Sequence, residues 1–174
     1  MFNFDGVGNI KSTLKINAHG DIKFSDKING LSASTTNNNR LNLDFTAGGD
    51  IDLNKATIST NGGYFTATAK GTQKLSSNPD VLAAGDFKAA DATISTYAAF
   101  GGGDIFITAK GKADLGAMDF SYDYRNGNEF KLTQVGSINV TAGSTIILNK
   151  EFDFNDSGGY AADGTANSIN DRTT

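Results

Sequence analysis

The chain has no cysteine and no tryptophan, and only one proline and one histidine in 174 residues. The lack of cysteine excludes disulfides, thiolate metal sites, iron–sulfur clusters and a cysteine nucleophile. The single histidine, His19, removes almost every histidine-based metal site, and a Ser–His–Asp triad would have to use it. It stands in Asn17-Ala18-His19-Gly20, just before a repeated motif, where a surface or turn role is expected. No Gly-x-Ser-x-Gly nucleophile elbow occurs. No metal and no cofactor are expected. No apolar run approaches the roughly 20 residues of a membrane span, so membrane insertion is not expected. The formal net charge is −4, the wrong sign for phosphate binding, so no nucleic-acid partner is expected. Met1-Phe2-Asn3-Phe4-Asp5 has no basic segment leading into an apolar one, and a signal peptide is not expected there.

Glutamate is also scarce, at Glu129 and Glu151 only, so the acidic residues are nearly all aspartate. What is abundant is Gly, at 21 residues, together with Asn, Asp, Thr and Ser. Gly, Asn and Asp suit tight turns and positive φ. Thr, Val, Ile, Phe and Tyr favour strands. The length fits one domain built from many short strands and many turns.

The chain also repeats itself. Gly-Asp followed by alternating apolar residues occurs at Gly20-Asp21-Ile22-Lys23-Phe24, Gly49-Asp50-Ile51-Asp52-Leu53, Gly85-Asp86-Phe87 and Gly103-Asp104-Ile105-Phe106-Ile107. Gly136-Ser137-Ile138-Asn139-Val140 is a weaker copy. Ala56-Thr57-Ile58-Ser59-Thr60 recurs as residues 92–96, and Thr68-Ala69-Lys70-Gly71 as residues 108–111. The step from Gly85 to Gly103 is about 18 residues, and a period near 20 residues signals a solenoid. The expected fold is all-β, a parallel β-helix of about eight or nine coils stacked ~4.8 Å apart, a rod on the order of 40 Å long. A β-sandwich is the rival. Ile51, Leu53, Ile105 and Ile107 should point inward, with Asp50, Asp52 and Phe106 outside.

Three stretches depart from the pattern. Asn126-Gly127 is a hairpin signal. A three-residue loop, Asn126-Gly127-Asn128, would pair Tyr124 with Phe130 and Tyr122 with Leu132, giving one apolar face. The segment is then one projecting β-hairpin; the alternative is an ordinary coil with a tight corner. Residues 76–80 read as a loop or a single helical turn started by Pro79. Residues 1–156 are expected to form the β-helix segment, and residues 157–174 a polar C-terminal tail or end cap.

Candidate chemistry is thin. Asp50 and Asp52 share a strand face, and Asp119 and Asp123 are similarly placed. Two carboxylates about 5 to 9 Å apart are what glycoside hydrolysis needs, although chance pairs are expected in so Asp-rich a chain. Gly101-Gly102-Gly103-Asp104 has neither the spacing of a calcium β-roll nor the lysine of a phosphate loop, and reads as a corner. A regular Thr-x-Thr array is missing; only Thr66-Ala67-Thr68 fits. Asn139-Val140-Thr141 and Asn155-Asp156-Ser157 are sequons, which makes Asn139 and Asn155 candidate N-glycosylation sites.

At Leu43-Asp44-Phe45-Thr46-Ala47-Gly48-Gly49-Asp50-Ile51-Asp52-Leu53 and Ile138-Asn139-Val140-Thr141-Ala142-Gly143-Ser144-Thr145-Ile146 the chain resembles a known family. It is similar to the repeat regions of two-partner-secretion exoproteins of the filamentous haemagglutinin and high-molecular-weight adhesin type. The likeness covers most of residues 10 to 150. It implies a right-handed parallel β-helix, secreted and displayed on a Gram-negative cell surface. It implies host-cell glycans or protein receptors as partners, and an outer-membrane transporter partner for the full-length parent. The secretion-domain motif Asn-Pro-Asn-Gly is missing and such proteins are far longer, so a piece of a larger rod is expected. The family has no shared ligand motif to carry over. Tyr122, Tyr124 and Phe130 are the candidate ligand-binding residues, because aromatic rings stack on sugar faces; Tyr64 and Phe100 could join them. The expected role is rod or spacer, and not an enzyme. The alternatives are a polysaccharide-active β-helix enzyme, using Asp50, Asp52, Asp119 and Asp123, and a phage tailspike fragment, which would be a trimer.

Overall fold

The computed structural model describes residues 2–4, 11–30, 40–75, 77–96, 103–119, 125–126, 129–130, 137–149, 163–165 and 168–171. All regular structure among them is strand. In chain order the strands are β1 (Phe2–Phe4), β2 (Lys11–Ala18), β3 (Ile22–Lys23), β4 (Lys27–Gly30), β5 (Arg40–Ala47), β6 (Ile51–Asp52) and β7 (Thr57–Ser59). There follow β8 (Phe65–Ala69), β9 (Lys74–Leu75), β10 (Asn78–Leu82), β11 (Phe87–Ser95), β12 (Ile105–Ala109) and β13 (Ala113–Asp119). The last six are β14 (Arg125–Asn126), β15 (Glu129–Phe130), β16 (Ile138–Ala142), β17 (Ile146–Leu148), β18 (Asp163–Thr165) and β19 (Ser168–Asp171).

The chain alternates between two sheets. One is seven-stranded, in the order β18-β19-β16-β12-β8-β5-β2; the other is eight-stranded, with β1-β4-β7-β11-β13-β17 as its spine and β3 and β6 beside it. From β2 to β17 every pairing within these two sheets is parallel. That is not the antiparallel pairing of a sandwich. Strand β19 then lies antiparallel on β16, and β18 on β19.

Alternation inside each strand sends every second side chain into the space between the sheets. Because the pairing is in register, like positions stack. In the seven-stranded sheet Leu14, Leu43, Phe65, Ile105 and Ile138 form one column, and Ala18, Ala47, Ala69, Ala109 and Ala142 another. In the eight-stranded sheet Ile22, Ile51, Phe87, Ala113 and Ile146 stack, as do Ile28, Ile58, Ile94 and Met118. Ile51, Leu53, Ile105 and Ile107 are buried as expected, while Phe106 is 41% exposed. The echoes are register marks: Thr57-Ile58-Ser59 pairs with Thr93-Ile94-Ser95, and Thr68-Ala69 with Thr108-Ala109.

The described residues form five circuits where eight or nine coils are expected. The seven-stranded sheet holds five parallel strands, β2, β5, β8, β12 and β16, so the described chain makes five circuits through both sheets. The step from Gly85 to Gly103 covers half a circuit, since Phe87 lies in the eight-stranded sheet and Ile105 in the other. A whole circuit is longer and uneven. Side chains that bond the next circuit reach partners 22, 29, 35 or 26 residues on.

Two irregular stretches also differ from expectation. Asn78–Leu82 is no helical turn: β10 pairs antiparallel with β9 as a bulged hairpin inserted between β8 and β11. The Asn78 side chain accepts the Asp80 N–H, a local turn bond that competes with helix. In the other, β14 and β15 pair Arg125 with Phe130 and Asn126 with Glu129. Neither the three-residue loop nor the pairing of Tyr124 with Phe130 holds, because only Gly127 and Asn128 lie between the strands. A two-residue connection suits the twist of paired strands better.

Phe65 fixes the centre of the interior. It is fully buried and meets Phe45 edge-on at 5.8 Å and Phe87 at 6.5 Å, the latter from the facing sheet. Truncation leaves a cavity in a column whose neighbours are backbone-locked. Phe65→Ala is expected to cost about 3–5 kcal/mol, read as a lower guanidinium midpoint.

Candidate functional site

The best-defined polar constellation lies where the chain leaves the seven-stranded sheet for the eight-stranded one. Gly-Asp stands there in three successive circuits. Asp21 Oδ1 accepts the backbone N–H of Asp50 at 2.8 Å. Asp50 Oδ1 accepts the N–H groups of Gly85 and Asp86 at 3.0 and 2.9 Å. Asp86 Oδ1 accepts the N–H of Lys112 at 2.8 Å. Each carboxylate caps the corner of the circuit above it.

The glycine of the motif follows from that cap. A Cβ on Gly49 would lie 1.9 Å from Asp21 Oδ1, so a side chain there collides with the capping group. Gly85 adds a second reason, since its φ of +74° is left-handed backbone that glycine adopts without strain. The opposite corner uses other residues for the same work. Asp104 Oδ1 accepts both the N–H and the hydroxyl of Ser137, at 2.8 and 2.9 Å. Asn42 Oδ1 accepts the N–H of Tyr64 at 3.2 Å. Thr60 and Thr96, both fully buried, donate their hydroxyls to Gly63 O and Gly103 O at 2.6 Å. Gly103-Asp104 therefore belongs to a different corner from the other Gly-Asp copies.

Around Asp50 the electrostatics are paired. Lys88 Nζ lies 2.5 Å from Asp50 Oδ2 and 3.9 Å from Asp86 Oδ2. Lys23 Nζ lies 3.5 Å from Asp52 Oδ2. In register, Lys23, Asp52, Lys88 and Asp114 alternate in sign along one outward row. Opposite charges directly across a strand pair are favourable. Burial works against the charge on Asp50, but the hydrogen bonds from Lys88 and from the Asp86 and Gly85 N–H groups outweigh it and hold its carboxyl below the ordinary aspartate value. The bond to Asp50 raises Lys88 above the ordinary lysine value against the pull of burial, with the Asp86 and Asp52 charges adding to it.

These surroundings do not suit acid–base catalysis. A general acid needs a carboxyl held protonated near neutrality, and Asp50 is pushed the other way while its oxygens are occupied by three donors. Asp52 accepts the Asn54 N–H at 3.1 Å. Asp119 closes β13, while Asp123 lies outside the described residues. Among the described residues no three acidic or histidine side chains gather where they could hold a metal ion. His19 is exposed at the turn after β2.

The candidate binding residues are brought together only in part. Tyr122, Tyr124 and Phe100 lie outside the described residues, and of Phe130 the backbone alone is described, in β15. Tyr64 is 37% exposed. Asn139 is half-buried in β16, and Thr141 is exposed two residues on. Asn155 lies outside the described residues. One outward row is hard to see in sequence: Thr46, Thr68, Thr108 and Thr141 stand in register on four successive strands. The Thr-x-Thr test searches along a strand, whereas this row runs across strands; its signal is the repeated Thr-Ala pair.

The pKa directions give a pH dependence. A folded value below the unfolded one means that Asp50 stabilises the fold above the unfolded aspartate value. That contribution is lost as pH falls through the folded value. Lys88 contributes below the unfolded lysine value and loses its contribution as pH rises through its own higher value. Asp50→Asn keeps an oxygen acceptor but no charge. Its urea midpoint should fall below that of the native chain at pH 7, and the gap should close as both are acidified to about pH 2. An equal gap at both pH values would contradict the ion-pair account.

No family model matches the chain, and neither a curated protein nor a solved structure gives a significant match.

Proposed function

We propose that the chain is a segment of a right-handed parallel β-helix from a large secreted adhesin of the two-partner-secretion type, and that it serves as a rod that spaces a binding region from a Gram-negative cell surface. The observation that carries this reading is the corner ladder. Asp50, one of the carboxylates that could have formed a catalytic pair, fastens one circuit to the next, as Asp21 and Asp86 do. A stack held in register by its own side chains resists shear and suits a load-bearing spacer. Host-cell glycans or protein receptors and the outer-membrane transporter are partners of the parent molecule in this reading. Tyr122, Tyr124 and Phe130 are the residues that would contact a glycan if this segment itself adheres. A polysaccharide-active enzyme would use Asp50 and Asp52, and their engagement speaks against it.

The test is a glycan-array screen of the purified chain beside Tyr122→Ala/Tyr124→Ala, with small-angle scattering on both. A spacer gives an elongated monomer and no glycan signal. Specific binding lost in the folded double variant would replace the spacer role with an adhesive site on the aromatic segment. Cleavage of any polysaccharide, or a trimer in solution, would overturn the reading in favour of the enzyme or the tailspike.

A further inference from the structure

Among the described residues, the following side-chain hydrogen bonds between circuits share one direction. In each, the donor belongs to the later circuit and the acceptor to the earlier one. Asp50 N–H donates to Asp21, Tyr64 N–H to Asn42, and Gly85 and Asp86 N–H to Asp50. Lys88 donates to Asp50, Lys112 N–H to Asp86, Ser137 to Asp104, and the Asn149 amide to Asp114. Asn42 to Thr13, Thr72 to Gly48 O and Lys110 to Gly71 O run the same way. Two exposed ion pairs, Lys15–Asp44 and Lys23–Asp52, run the other way. The backbone bonds of the parallel sheets run both ways, as their geometry requires.

This polarity makes the two faces of a circuit unequal. A completed circuit exposes carboxylates and amide oxygens on its C-terminal side, which water solvates at no cost until the next circuit arrives. The arriving circuit brings corner N–H groups, one of them on Gly85 with its left-handed φ of +74°. Those corners are fixed only once an acceptor is in place. Addition on the N-terminal side has no such template, because the settled circuit there offers donors and the incoming side chains are not yet held. A repeat stack can in principle nucleate anywhere and propagate either way. Here the ring contacts of the core, Phe45 with Phe65 and Phe65 with Phe87, sit in the second and third circuits.

We infer that the stack folds with a direction: a nucleus at β5, β8 and β11 forms first, and circuits are then added in chain order toward β17, each on acceptors preset by the one before. A chain that emerges N-terminus first would meet its template at each circuit added after the nucleus.

The experiment is pulsed hydrogen exchange during refolding of the full chain, read strand by strand. Protection is expected in β5, β8 and β11 first, then in β12 and β13, and last in β16 and β17. Asp86→Ala should delay protection of β13, β16 and β17 at least about tenfold, the rate equivalent of one charge-assisted hydrogen bond, and leave β5 and β8 at their native rate. Asp86→Asn, which keeps an acceptor as Asn42 does, should restore most of the rate. Lys23→Gln, which removes an oppositely directed ion pair, should change neither group. Simultaneous protection of all strands, protection of β16 and β17 first, or an equal delay before and after the altered corner would overturn the inference. The order in the native chain is decisive even if Asp86→Ala fails to fold.

Discussion

The structure depends on one contact, an aspartate oxygen accepting a backbone N–H from the next circuit at a corner. Corners are where a stacked sheet is weakest. The strand ladders satisfy their own amides, but the chain must turn between sheets and leave N–H groups without strand partners. An unpaired amide costs most where water is kept from it, as at the part-buried N–H groups of Gly85, Asp86 and Ser137. Asp21, Asp50 and Asp86 supply the missing acceptors at one corner, and Asn42 and Asp104 at the other. Because the aspartate bonds involve charge, they are among the stronger kind.

The cap also sets the register. A slip by one residue would carry every apolar side chain to the wrong face. The corner bonds hold Ile22, Ile51 and Phe87 in one column by anchoring the residues just before them. The outward row of Lys23, Asp52, Lys88 and Asp114 adds a charge pattern that only the native pairing satisfies. Packing then follows from alignment. The alanine column from Ala18 to Ala142 keeps one border of the interior narrow, and Phe45, Phe65 and Phe87 fill the middle.

Much of this was legible in the sequence. The turn motif, the alternation and the two echoes point to the strands, their inward faces and parallel stacking. The circuit length was not legible, because Gly-Asp occurs at both corners: Gly85-Asp86 and Gly103-Asp104 look alike as text yet cap different edges. The β9–β10 insertion stretched one circuit further and hid the period. Asn126-Gly127 signals the hairpin at β14–β15, but the apolar face that favours a three-residue loop yields to short-loop geometry in the register formed. As for the candidate site, the Asp50 and Asp52 pairing on one strand was visible, while the partner that neutralises Asp50 stands 38 residues away on the next circuit. No local pattern announces such a distant contact.

The same contact explains the oddest feature of the composition. The chain uses aspartate almost to the exclusion of glutamate. A capping oxygen has to reach across one strand spacing, ~4.8 Å, from a backbone that is itself turning. Aspartate spans that gap with two side-chain torsions. Glutamate would overshoot the N–H or fold back on itself, and would lose one more rotatable bond to order. The glycine has the same origin at two of the caps, since the carboxylates of Asp21 and Asp86 fill the space where a Cβ on Gly49 or Gly111 would be, while Gly85 and Gly103 are crowded by backbone. Between Asp21 and Gly49 the two residues of the motif act as a single device: one gives the oxygen, and its counterpart on the next circuit gives it room. A repeated capping geometry selects its residues for reach and clearance, whatever is displayed on the outer faces.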